Sequence, residues 1–147
     1  MSRKVPDIML PTDQPHVKTA GTMQPEARSR AWLACIQGVV YLATGVWPLV
    51  SMRTFERVTG PKVDRWLVKT VGVLVTVIGG VLIVAGRRRT VSDELLLLAA
   101  GSAAGLASID VVYSTRGRIS KVYLLDALGE LALVAGWLRL RRRSAST

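Results

Sequence analysis

The sequence is short of the residues from which many active sites are built. Of 147 residues, one is Cys, one is His and one is Phe. A lone cysteine, Cys35, closes no intrachain disulfide and forms neither a CxxC redox pair nor a structural zinc site. The lone His16 stands in a polar N-terminal stretch, so the rest of the chain has no imidazole for a metal or a catalytic triad. Neither a metal nor a cofactor is expected. Acids are also scarce: 10 Asp+Glu face 20 Lys+Arg, for a net charge of +10.

Against these shortages, half of the chain is apolar and the mean hydropathy is +0.34. That combination requires apolar and charged residues to be segregated into blocks. A basic excess in a soluble domain would suggest nucleic acid. Here the arginines stand at the ends of apolar blocks, so the expected partners are anionic headgroups of membrane lipids, with no nucleic acid.

Residues 1–28 hold four of the six prolines and show no helical period, which predicts a disordered polar tail. No apolar core followed by a small-residue cleavage site marks it as a secretory signal peptide. Four apolar blocks follow, with helices expected at about 32–50, 62–86, 93–113 and 121–139 inside a domain over 31–140. Each is long enough, at about 1.5 Å per residue, to cross a hydrocarbon core of about 30 Å. The predicted fold is all-α, a membrane-embedded bundle of four transmembrane helices, ending in a basic tail over 141–147. Gly60-Pro61 is expected to open the second helix, Ser92 to cap the third and Ser120 the fourth. Short links make successive helices antiparallel neighbours.

With four spans, the N-terminal segment, Arg87-Arg88-Arg89 and the C-terminal arginines share one side, which holds twelve of the 20 cations. That bias predicts a multi-pass protein of the bacterial inner membrane with both termini cytoplasmic. The link at 51–60 carries Met52, Phe55 and Val58 at helical spacing, a short amphipathic helix suited to the membrane surface. Trp47, Trp66 and Trp137 read as interface anchors.

Glycines recur every seven residues: Gly38 and Gly45; Gly72, Gly79 and Gly86; Gly129 and Gly136. Such spacing leaves a smooth groove on one helix face, where backbones approach closely in lipid. Gly101-x-x-x-Gly105 opposite Ala99, Ala103 and Ala107 predicts a third helix packed on both sides.

Ionisable residues within the blocks are costly, about 2.5–3.5 kcal/mol each at mid-membrane on insertion scales, and so are functional candidates. Asp126 and Glu130 share a face of the fourth helix, and Asp110 lies near the outer end of the third. Lys69, on the second, is expected to pair with Asp126 or Asp110. With Arg65, Tyr113 and Tyr123 these form the candidate ligand- or proton-binding set in the outer half of the bundle. Gln37, Tyr41 and Thr44 make a polar stripe on the first helix. No catalytic residue is assigned.

The stretches GVWPLVSMRTFERVTGPKVDRWLVKTVG and SIDVVYSTRGRISKVYLLDALGE resemble motifs of small uncharacterised bacterial four-helix membrane proteins. The layout over residues 31–139 is similar to the DoxX-like group. The resemblance implies the fold. The thiol redox chemistry linked with some members of that group is not implied, since the bundle has one Cys and no His. The expected function is binding of a small ligand, a lipid or a partner subunit in an outer polar cavity. The alternatives are a proton-coupled carrier or channel, as a homodimer, and a lipid-acting enzyme using Asp126 and Glu130 as acid and base. An enzyme is the weaker expectation, because no nucleophile accompanies the acids.

Overall fold

The computed structural model describes residues 25–144. These form five helices: α1 (Pro25–Val50), α2 (Met52–Thr59), α3 (Arg65–Arg88), α4 (Asp93–Thr115) and α5 (Tyr123–Ser144), with no strand among the described residues. Three of them, α1, α3 and α4, are long and apolar enough to cross a membrane. The 22 residues of α5 have the length, but Asp126 and Glu130 interrupt its apolar stretch and Arg139 and Arg141–Arg143 end it.

Helix ends follow from local chemistry. Most of the expected N-terminal tail lies outside the described residues, but 25–28 form the first turn of α1. Pro25 has no N–H, and a first-turn N–H would have no intrahelical acceptor, while Glu26 suits the positive end of the helix dipole. At the other terminus, Arg141–Arg143 belong to the last turn of α5 instead of a tail, where cations complement the helix C-terminus. Ser92 caps α4 as expected, accepting from Leu95 N at 3.4 Å.

The expected start of the second long helix needs correction. Gly60, at φ +86°, ends α2, and Pro61 stays outside the helix, which begins at Arg65. The Glu56 carboxylate holds the link, accepting from Lys62 N at 3.2 Å and from Arg65 Nε and an Arg65 terminal nitrogen at 2.8 Å each. Trp47 fastens α2 to the end of α1: its Nε1 donates to Thr54 Oγ1 at 2.9 Å, and its ring meets Phe55 edge-on.

The long helices associate as two pairs, α1 with α3 and α4 with α5, joined mainly through α1 and α5. The first pair is built on glycine. A Cβ at Gly79 would stand 2.7 Å from Gly38 O, and one at Gly45 would stand 2.7 Å from Gly72 O. At Gly86 it would stand 2.7 Å from Ala31 O. Backbone meets backbone along the whole contact, a geometry open only to residues without a side chain. Ala34 of α1, Leu82 of α3, Leu96 and Ala99 of α4 and Trp137 of α5 form the core, where all four long helices meet. The central helix is therefore α1, not α4. Gly101, Gly105 and Gly129 face open space, and α4 is buried along Ala99, Ala103 and Ala107 instead.

Large apolar residues line the outside. Val73, Leu74, Val77, Val81 and Val84 of α3 are exposed, while the interior is made largely of Ala and Gly. Soluble proteins distribute size and polarity the other way round.

Candidate functional site

Three helices contribute polar side chains to one buried line. On α1, Gln37 and Tyr41 are one turn apart beside the glycine face, both fully buried. On α5, Glu130 and Trp137 are seven residues apart and share a face. On α4, Ser102 follows Ala99 by three residues, and Asp110 stands two turns further on.

The contacts run in order along the bundle. Trp137 Nε1 donates to Gln37 Oε1 at 2.6 Å, and Gln37 Nε2 donates to Ala99 O at 2.8 Å. Ser102 Oγ donates to the same carbonyl at 3.1 Å. The Tyr41 hydroxyl donates to Glu130 Oε2 at 2.9 Å and lies 3.5 Å from Ser102 Oγ. Every buried polar group in this stretch therefore has a partner, as burial demands.

The line changes character toward the α2 end. Asp110 is 7% exposed, and its Oδ2 has no hydrogen-bond partner. The carboxyl of Asp126, which lies one turn before Glu130 on α5 and is itself exposed at the bundle surface, is its charged neighbour. Two carboxylates brought together repel unless one takes up a proton or a cation stands between them. Neither pairs with a cation among the described residues; Arg30 pairs with Asp93 and Arg65 with Glu56 instead.

Of the site residues expected from sequence, Asp110, Asp126 and Glu130 come together. Lys69 does not join them. It is exposed and makes no hydrogen bond or ion pair with a described residue. Arg65 is committed elsewhere, to Glu56, whose carboxyl it holds below the ordinary value of 4.5. Tyr113 is exposed. Tyr123 is half-buried with Lys62 Nζ over its ring, 4.8 Å from the centroid.

Two members of the line were not assigned from sequence. Trp137, expected at the interface, is fully buried and donates to Gln37. Ser102 was hidden in a run of small residues. A signal for Trp137 existed: it lies two turns from Glu130 on the face that must be shielded from lipid. No family model, curated protein or solved structure matches this chain.

Proposed function

We propose that the chain is an integral membrane protein in which α5 is the fourth span. In this reading, the polar line in the outer half of the bundle binds a small cationic ligand: the proton or a small protonated amine. Support for the membrane comes from the inverted interior, small residues inside and Val and Leu outside, which suits a solvent as apolar as the side chains. Support for α5 as a span comes from Glu130, which has a hydrogen-bonding partner within the bundle and so need not meet lipid. With both termini cytoplasmic, the α2 end is the outer one.

The observation that carries the ligand is Asp110 Oδ2, buried and unpartnered beside a second carboxyl and without a described cation. Such a group needs a proton or a cation. Asp126, at the surface, gives that ligand its way in. A carrier or channel is the second reading. It needs an exchangeable group beyond Tyr41 toward the terminal end, but the line continues there as Gln37 and Trp137, surrounded by Ala34, Leu82 and Leu96. Geometry therefore favours a closed binding site over a passage.

Infrared spectroscopy of the protein in detergent tests the reading. A protonated-carboxyl C=O band, removed by Asp110→Asn and shifted by pH or by methylammonium, is the expected result. Carboxyl bands insensitive to both pH and methylammonium would remove the proposal.

A further inference from the structure

We infer that the groove between α1 and α5 at the terminal end of the bundle holds one anionic phospholipid. The inference rests on the membrane reading of the chain and is independent of the carboxyl site. The groove has a volume of about 500 Å³ and is lined by Arg28, Trp32, Leu33, Ile36, Gly136 and Arg139, among others. A second hollow, about 630 Å³, shares Arg139 and adds Glu26 with Arg142 and Arg143, none of these three being without a partner.

Chemistry in the groove is layered along the helix axes. Arg28, Trp32 and Ile36 follow one another at four-residue spacing on one face of α1, so the cation is at the rim and the apolar wall lies deeper. On α5, Arg139 stands at the rim and Gly136 one turn deeper. Gly136 supplies no side chain, which leaves a slot floored by Leu33; a Cβ there would stand 3.1 Å from Leu33 Cδ2. Trp32 is 68% exposed at the level where indole rings favour the headgroup boundary.

Charge complementarity selects the occupant. Arg28 and Arg139 make no hydrogen bond or ion pair with a described residue, so among the described residues two guanidinium forks are available at the rim. A phosphodiester matches them, and an acyl chain matches the Trp32–Ile36 wall. A zwitterionic headgroup brings a second positive charge beside the arginines, and an inorganic anion leaves the apolar wall uncovered.

Native mass spectrometry of the detergent-purified full chain decides the matter, with phosphatidylglycerol, phosphatidylcholine and glycerol phosphate as probes. The unmodified chain should retain phosphatidylglycerol in preference to both others. Arg28→Gln with Arg139→Gln should weaken that binding about thirtyfold, two arginine–headgroup contacts together. Arg116→Gln with Arg118→Gln, an equal charge loss at the opposite end, should leave it unchanged, with circular dichroism verifying helix content. Equal retention of phosphatidylglycerol and phosphatidylcholine by the unmodified chain would overturn the inference without any variant. So would equal weakening in both double variants, glycerol phosphate bound as tightly as the lipid, or a dimer abolished by Arg28→Gln with Arg139→Gln, which would assign the groove to a second copy.

Discussion

Glu130 has one defined hydrogen bond, from Tyr41, and no cation near it. Glu130→Gln keeps an acceptor for the Tyr41 hydroxyl and removes the cost of a buried charge, so stability in a detergent unfolding titration should hold or rise. Tyr41→Phe does the opposite: it deprives Glu130 of its donor, and a loss of about 1–3 kcal/mol is expected by the same titration. Because Lys69 is remote from the cluster, the Lys69→Met, Glu130→Gln double-mutant cycle should be additive within about 0.5 kcal/mol. A larger coupling would place the lysine against the carboxyl after all. The Glu56–Arg65 pair gives a pH effect of definite sign. A carboxyl held below its unfolded value contributes stability above that value and loses it as pH falls. The protection of α2 amides, as exchange relative to the intrinsic rate at each pH, should therefore fall on acidification through and below 4.5, and Glu56→Gln should abolish that change.

At the scale of helices, two small-residue patterns that look alike in sequence behave differently. Gly79→Leu would drive a side chain into the backbone of α1, against Gly38 O and Leu42 N, and should separate α1 from α3. Gly105→Leu meets open space and should be tolerated, the difference being read as thermal stability in detergent. Sequence period marked both as packing faces, since period reports which residues share a side and not what lies opposite. Helix extents were legible because apolar runs bounded by arginines and caps are local signals: 93–113 became Asp93–Thr115, and Ser92 capped it. The start of α3 was not, because Glu56, on the preceding helix, fixes the link through Arg65 and Lys62. The carboxyl cluster was half legible. Cost in lipid singled out the acids, but their partners Tyr41, Ser102 and the Gln37–Trp137 pair depend on which helices adjoin.

For the molecule as a whole, orientation and span number are testable together. Reporter fusions at Arg89 and after Thr147 should be cytoplasmic, and one at Thr115 exoplasmic; the reverse pattern would invert the binding site's side. Pairing of α1 with α3 and of α4 with α5 also bears on how the chain enters the bilayer. The least apolar long helix is synthesised last, and the groups beside its acids, Tyr41 bonded to Glu130 and Asp110 near Asp126, belong to helices already made. On the four-span proposal α5 enters beside a prepared polar seam, so its translocon insertion should depend on its predecessors. Glycosylation mapping should find α5 inserted efficiently behind α1–α4 and poorly when offered alone. Tyr41→Phe with Asp110→Leu should lower its insertion within the full chain. Transmembrane character in α5 would then be conferred by its neighbours, inherited from the earlier helices instead of encoded in its own hydropathy.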